Sequence, residues 1–526
     1  MAIDKIMRPE LFFGVVAPIG VDIDMITDVL ITELSRHQYI VYTLRITSLM
    51  KIIPSDVKIV EDDYLTQITS KIAYANDVCR RLGRQDALAA IVPIGVQTLR
   101  DAGHRKEARG RGEPADVVDV EKPLKKHAYI IRQFKRPDEI KLMRQIYGKL
   151  FFQISAYNSP ADREDLISKE IKDSKFGAIE DAEARAEVIQ LMAVDYSEQD
   201  NEFGQKIRET FPMGEVFVDG INRIKCERMI HRFVSLLFGD NSITPDRDEN
   251  GMYLARSASF RSGDLSRQVG AAICRPNGEI ISLGCNEVPK YGGGNYWCDD
   301  EGDARDFALG EDPNDRIKRE LLYDILDVLF KAGNLSEDLT RLGTTKDVMA
   351  SLMRGKTGLR DSKVMDILEF GRVIHAEMSA MSDAARFGLS VKGGVLYSTT
   401  FPCHICAKHI VAAGIDRVVF LQPYPKSYAK ELHSDSIEIE GDPVVGKVKF
   451  QAFMGISPYR YRDFFEKSRR KGDDGRAKPW KDGQPLPIVE IYNPLYTTLE
   501  TIVASELRND IQRLKTTEKR QGEAAT

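Results

Sequence analysis

Three residues from two segments constrain this chain most: His375 in His375-Ala376-Glu377, and Cys403 and Cys406 in Pro402-Cys403-His404-Ile405-Cys406. One imidazole and two thiolates are donors that a zinc ion takes in a tetrahedron, and a catalytic zinc leaves its fourth position to water. Any fold that serves them must bring the two segments to one point. The Cys-x-x-Cys spacing lets both sulfurs enter one site from the first turn of a helix. Pro402 suits that helix start, where its missing N–H costs nothing. The free N–H groups and the helix dipole there favour thiolate over thiol. His375 opens a second helix, which Gly388 ends. Glu377 is too close to His375 to be a comfortable fourth ligand and is placed to carry protons beside the metal site. Structural zinc usually has four protein ligands, and no fourth has suitable spacing here. His404 and His409 on the cysteine helix read as solvated surface residues.

This division of labour is what hydrolytic deamination of a nucleobase requires. One zinc ion per chain would activate water at neutral pH for attack on C4 of cytosine, with Glu377 moving protons to ring N3 and to the departing amine. The pattern H-x-E followed by P-C-x-x-C is the signature of zinc deaminases.

The expected fold class is α/β. Leu11–Val16 is a short apolar run that reads as a buried strand, followed by a Pro-Ile-Gly turn and a helix carrying Ile23, Ile26, Val29, Leu30 and Leu34. Further strands are expected at 39–44, 88–93 and from Tyr129, with a helix over 137–150. Strands alternating with helices suggest a parallel sheet. The polar stretch 103–125 reads as a loop or insertion. This first domain is expected to span 1–220. A second spans 225–505, with an insertion near 299–365, and 506–526 form a polar, frayed tail. In the second domain a hairpin joins 269–274 to 279–284 through Pro276-Asn277-Gly278. Then come an amphipathic helix over 317–332 with Ile317, Leu321, Ile325 and Leu329 on one side, a helix over 371–387, a strand at 394–398, a helix at 403–413 and a strand at 417–421.

Composition narrows the classes. Lys plus Arg total 75 against 80 Asp plus Glu, a formal net charge of -5. That balance argues against a protein that coats nucleic acid. No run of ~18 apolar residues marks a membrane span, so no membrane partner is expected. The N-terminus shows no signal-peptide core, so a cytoplasmic location is expected. The 7 cysteines make no disulfide framework in a reducing compartment.

His375-Ala376-Glu377, Thr400-Phe-Pro-Cys403-His-Ile-Cys406, Arg267-Gln-Val-Gly-Ala271 and Gly284-Cys-Asn286-Glu-Val-Pro289 together resemble the deoxycytidylate deaminase branch of the cytidine-deaminase superfamily. The resemblance covers roughly 250–430. It implies a cytidine-deaminase-like α/β/α domain with a five-stranded mixed sheet and the zinc between two helix starts. The longer sequence is similar to bacterial anti-phage dCTP/dCMP deaminases, in Gly14-Val-Val-Ala-Pro-Ile-Gly20-Val21-Asp22, Phe203-Gly-Gln205, Arg261-Ser-Gly-Asp-Leu-Ser-Arg-Gln268, Pro289-Lys-Tyr-Gly-Gly-Gly294-Asn-Tyr-Trp297 and Tyr424-Pro-Lys-Ser427. This implies a P-loop kinase-like N-terminal domain, destruction of deoxycytidine nucleotides in antiviral defence, an inhibitory small RNA for some members, and a homo-oligomer.

A nucleotide substrate, dCTP or dCMP, needs hydrogen-bonding and cationic groups. In related enzymes the residue matching Asn286 lies at the sugar, which makes Asn286 the candidate for the deoxyribose hydroxyl. The usual Asn-Gly-x-Pro has Glu287 in place of glycine. Gly292-Gly293-Gly294 can present backbone N–H groups to phosphate or serve as a hinge, with Gly293 at its centre. Arg261, Arg267 and Lys290 are phosphate candidates by proximity, and Tyr459, Arg460 and Arg462 form a basic aromatic patch. Mg2+ would accompany a triphosphate; the acidic stretch 299–315 reads first as a solvated loop. Cys298 could join a second metal with nearby acids.

A working P-loop has G-x-x-x-x-G-K-[ST]. Here Gly14 and Gly20 are followed by Val21 and Asp22, so the cation and the hydroxyl are absent, and Asp22 suits a helix cap. The first domain is thus expected to be degenerate as an NTPase. Two alternatives compete with a free-nucleotide deaminase, and a third with its role in defence. A polynucleotide cytosine or adenine deaminase predicts a basic channel. A nucleotide kinase needs the missing Lys and Ser/Thr. A housekeeping dCMP deaminase would supply dTTP synthesis.

Overall fold

The computed structural model describes residues 5–112, 121–177, 179–198, 201–354, 359, 362–422, 427–441, 444–467, 469–478, 480 and 485–525, the last eight by backbone only. The chain divides into two compact units, Met1–Pro245 with Met454–Thr526, and Asp246–Phe453. No helix among the described residues is long and apolar enough to cross a membrane.

The first unit is built on strands β1 (Leu11–Val16), β2 (Ile40–Arg45), β3 (His127–Arg132), β4 (Phe151–Tyr157) and β5 (Val216–Asp219). They run parallel in the order β5-β4-β1-β3-β2, and the short strand Gly455–Ile456 adds antiparallel to β5. β1 lies between β3 and β4 and is buried along its whole length, which is why its sequence is continuously apolar. Helix Ile23–Arg36 follows β1 and buries the periodic residues Ile26, Val29, Leu30 and Leu34.

Several expectations are corrected here. Residues 88–93 are not a strand: a 3-10 turn over Ala89–Ile91 leads into the helix Val92–Gly110. Every side chain from Ala89 to Val92 is fully buried, so the run carries no period to distinguish helix from strand. Pro93 stands in the first helical turn, where proline is tolerated. Residues 103–110, expected as loop, continue that helix; 113–120 lie outside the described residues.

The break between units falls at 245/246 rather than near 220. Helix Arg223–Leu237 packs on the first sheet, where Phe233 meets Phe13 and Phe152 edge-on. The chain also returns to this unit after 453. Residues 506–525, expected as a frayed tail, continue the helix Tyr496–Ala525. Its anchor is a fully buried charge cluster: Arg100 bonds Glu10 at 2.7 Å and Glu500 at 2.6 Å. Tyr129 and Tyr496 donate to Glu10 at 3.0 and 2.9 Å. Each buried charge therefore has a partner, the condition for burying charge at all.

The second unit holds β6 (Gly270–Cys274), β7 (Ile280–Cys285), β8 (Val395–Thr400), β9 (Arg417–Gln422), β10 (Ile437–Ile439) and β11 (Val448–Ala452). Their order is β10-β11-β9-β8-β6-β7. The expected hairpin is present, and β6 is antiparallel to both β7 and β8, while β8, β9, β11 and β10 run parallel. The mixed sheet has six strands rather than five because the short β10 extends it. Helix Arg247–Ser259 covers one face, with Gly251 against the Tyr397 ring. Helices Ala376–Arg386 and His404–Ala412 cover the other, where Ala376, Ala380, Ala407 and Ile410 pack with Ala271, Leu396, Val418 and Phe450.

In helix Pro313–Lys331 the buried stripe is Asn314, Lys318, Leu322 and Leu326. Leu321 and Ile325, expected on the covered side, are exposed. The cover is the helix Thr345–Arg354 together with the segment 363–367, where Asn314 and Lys318 bond the Ile367 and Met365 carbonyls at 3.0 Å. The covered stripe is therefore rotated from the expected one, with two polar residues at its N-terminal end and two leucines at its C-terminal end.

Candidate active site

Both helices that deliver the three donor residues start at the same face of the second sheet. His375 is the N-cap of Ala376–Arg386, and Cys403 is the N-cap of His404–Ala412, accepting the Cys406 N–H on its sulfur at 3.5 Å. The His375 helix reaches the sheet because β7 offers no side chain at Gly284: a Cβ there would stand 2.2 Å from the Ala376 carbonyl oxygen. The loop ahead of His375 is fixed by a backbone bridge, Ile374 N–H to Glu287 O at 3.1 Å and Glu287 N–H to Ile374 O at 3.3 Å.

His375 Nδ1 lies 3.3 Å from Cys403 Sγ and 3.3 Å from Cys406 Sγ. The three donor atoms all fall within 4.8 Å of one another. Zn–S of ~2.3 Å and Zn–N of ~2.05 Å in a tetrahedron set N···S edges of about 3.6 Å and an S···S edge of about 3.8 Å. The donor set and its spacing therefore fit zinc, with small adjustment. Among the described residues no other group of His, Cys, Asp and Glu converges this way, and Cys298 is exposed and outside it.

Electrostatics separate the two cysteines. The hydrogen bond from Cys406, together with that from His375, brings Cys403 down to about 4. Its partnership with that thiolate holds Cys406 well above the ordinary thiol range. Burial works against a charged His375, but the Cys403 thiolate outweighs it and holds the imidazole above its ordinary value. A cation among the three would release the remaining thiol proton.

Glu377 is buried, with Oε2 3.4 Å from Cys406 Sγ and Oε1 accepting from Ser398 Oγ at 3.0 Å. Burial and the Cys403 thiolate raise its carboxyl above the ordinary value.

The other sequence candidates fall in different places. Asn286 lies beside the Glu287–Ile374 bridge, and its amide closes on backbone, accepting from Val269 N–H at 2.7 Å and donating to Arg267 O at 2.8 Å. Arg261 donates to Asn295 O at 3.0 Å and lies 3.6 Å over the Trp297 ring. Arg267 is exposed. Lys290 pairs with Asp300 at 2.6 Å. Gly293 packs against Arg386, at the opposite end of the 11-residue helix from His375 and about 15 Å away along its axis. Arg460 belongs to the first unit, as do Tyr459 and Arg462, and pairs with Asp463 at 2.5 Å. In the acidic stretch Asp303 pairs with Arg305, Asp306 with Arg372, and Asp312 caps a helix. His404 is half-buried, 3.7 Å from Glu369, whereas His409 is exposed. Residues 424–426 of the Tyr-Pro-Lys-Ser motif lie outside the described residues; Ser427 donates to Pro402 O at 2.9 Å, beside Cys403.

Two residues not singled out for the site contribute to it. Glu287 is buried and accepts Val288 N–H at 2.9 Å and Gly263 N–H at 2.8 Å, tying the 261–268 loop to the bridge ahead of His375. Ser398 touches Glu377; its signal was a hydroxyl at a core-facing position of an expected strand.

In the first unit Gly14 lies within β1, as expected, against Phe134 and Phe151. Gly20 has φ +84 and sits on Arg163. Val21 packs on Gly220, and Asp22 caps the helix through Met25 N–H at 2.8 Å. Asp195, itself buried, accepts Ile19 N–H at 2.7 Å and pairs with Lys135 at 2.6 Å. Lys135 also donates to Ala17 O at 2.9 Å.

Residues 245–422 match the family described as the cytidine and deoxycytidylate deaminase zinc-binding region. The deoxycytidylate deaminase of Enterobacteria phage T4 is 31% identical over 176 residues, 34% of this chain and 78% of the phage protein. That of Enterobacteria phage T2 is 29% identical over 207 residues, 39% of this chain and 96% of that protein. Among solved structures, a cyanophage S-TIM5 dCMP deaminase in complex with dCMP and dUMP is similar, at 19% identity over 40% of this chain and 100% of that one. Its TM-score is 0.22, too low to carry an argument.

Proposed function

We propose, from the premise that this chain belongs to the deoxycytidylate deaminase family and is a deaminase of the hydrolase class, that it converts dCMP, dCTP or both to the uracil nucleotides with release of ammonia. The observation that carries this is the convergence of His375 Nδ1, Cys403 Sγ and Cys406 Sγ beside the buried Glu377.

His375, Cys403 and Cys406 would hold one Zn2+. Bound there, the ion supplies a Lewis acid that lowers the pKa of a water from ~15.7 towards ~7. Glu377 takes one proton of the attacking water on Oε2 and delivers it to ring N3 as the water oxygen bonds to C4, then takes the second proton from that C4 hydroxyl and passes it to the amine as the C4–N bond breaks and the C4 carbonyl forms. The net change is loss of the C4 amine and gain of a C4 carbonyl oxygen. Asn286, Arg261, Arg267, Lys290 and Gly293, in the 261–268 loop tied to the His375 bridge by Glu287 and in the 286–297 segment, are the candidate substrate contacts. Of these, Arg267 is the exposed cation.

The first unit is a degenerate P-loop kinase-like domain in this reading, since the Asp195 carboxylate occupies the turn after β1 that a phosphate would need. Action on the cellular dCTP pool as cytoplasmic antiviral defence, a homo-oligomer, a small-RNA inhibitor and Mg2+ with a triphosphate rest on the sequence resemblance. Purified protein given dCMP, dCTP, cytidine and single-stranded DNA separately should release ammonia from the free nucleotides and not from the polynucleotide. Release from single-stranded DNA alone would overturn the assignment.

A further inference from the structure

We infer that Ser398 is a positioning residue of this site: its hydroxyl anchors one carboxylate oxygen of Glu377, leaving the other as the oxygen that carries protons. The inference rests on the function proposed above and concerns how its proton carrier is held. Ser398 lies on β8 and is fully buried. Strand alternation puts Leu396 and Ser398 on one face, and Leu396 packs with Ala376 and Ala380 of the His375 helix. A hydroxyl in that apolar layer is costly unless hydrogen-bonded. Its bond is to Glu377 Oε1 at 3.0 Å.

The direction of this bond is set by its surroundings. The Thr400 N–H faces Ser398 Oγ at 3.5 Å, so a donor already addresses the oxygen's lone pairs. The hydroxyl hydrogen is left for the carboxylate. Oε2 faces the Cys406 sulfur at 3.4 Å, on the side of the three donor atoms.

The two oxygens are therefore unequal. Oε1 is fixed to the sheet, and Oε2 is presented to the reacting atoms. A proton carrier that must serve water, N3 and the leaving amine in turn gains from a single rotamer, because a misplacement of ~1 Å can cost ~100-fold in rate. Ser398 touches no reacting atom and acts only through Glu377.

The test uses the full-length, zinc-loaded chain and four substitutions, Ser398→Ala, Ser398→Val, Ser398→Thr and Glu377→Ala, together with the Ser398→Ala/Glu377→Ala double variant. With dCMP, Ser398→Ala and Ser398→Val should lose about 10- to 100-fold in kcat with KM little changed. Ser398→Thr, the same shape as Val but with the hydroxyl, should recover most of it. Each single variant should bind zinc as the parent does. Melting gives a readout independent of turnover: Ser398→Ala should lower Tm in the parent and not when Glu377 is already Ala. Equal kcat for the Thr and Val variants, or additive melting shifts, would overturn the inference. A parent that leaves dCMP intact while the melting shifts stay non-additive would sink the proposed function and leave the Ser398–Glu377 coupling standing.

Discussion

The turn from β1 into the helix Ile23–Arg36 and the turn from β8 into the helix His404–Ala412 are one local construction, a buried strand feeding a helix N-terminus. Their fillings differ. In the first unit the chain itself closes the groups that frame the turn: Asp22 caps the helix, Asp195 takes the Ile19 N–H, and Lys135 donates to the Ala17 carbonyl and pairs with Asp195. In the second, the helix start supplies two sulfurs that meet an imidazole nitrogen from a neighbouring helix start, three donors converging with a proton carrier beside them. A strand–turn–helix corner is thus only a place for chemistry, and the side chains in it decide whether it is already satisfied or calls for a ligand.

The comparison breaks most visibly by metal removal. Dialysis against a strong chelator should abolish deamination and raise amide exchange in 375–386 and 403–412, while 17–36 stays as protected as before. Equal loosening at both corners would erase the distinction. Next in size, Glu377→Gln should cut kcat by ~10²–10⁴-fold with zinc content unchanged by elemental analysis. Loss of the metal in that variant would make Glu377 part of the metal site rather than a proton carrier. Asp195→Ala leaves Lys135 without its carboxylate, and denaturant unfolding should show a loss of about 3 kcal/mol, as for a broken buried pair. A neutral result would mean that the first corner is not closed by this residue. The smallest effect is Asp22→Ala, about 1 kcal/mol, with Asp22→Ser recovering most of it. If Ser does not recover it, Asp22 is more than a cap.

Much of this was legible in the residues, though unevenly. The β6–β7 hairpin, the strands around 395 and 417 and both helix starts follow from Pro-Asn-Gly, apolar runs and glycine stops, all short-range signals. The donor set was legible because the i, i+2 and i, i+3 spacings carry chemistry by themselves. Distant partners were not. Glu500 reads as one more helix-surface acid until it meets Arg100, 400 positions away. For the same reason the return of 454–526 to the first unit left no local mark. The run 88–93 was ambiguous because complete burial erases periodicity. Lys290 and Asn286 have residue types that suit a nucleotide, yet in the structure they are engaged by Asp300 and by the backbone of 267–269. Residue type announces capacity, and competition for it is settled only in three dimensions.

The buried Arg100–Glu10–Glu500 cluster has a consequence for the order in which this molecule is made. During synthesis, 246–453 emerge as one uninterrupted stretch and can close as soon as they clear the ribosome. The first-formed sheet must meanwhile hold the Arg100–Glu10 pair without its second carboxylate until Glu500 has been translated. The half that begins earliest is completed last.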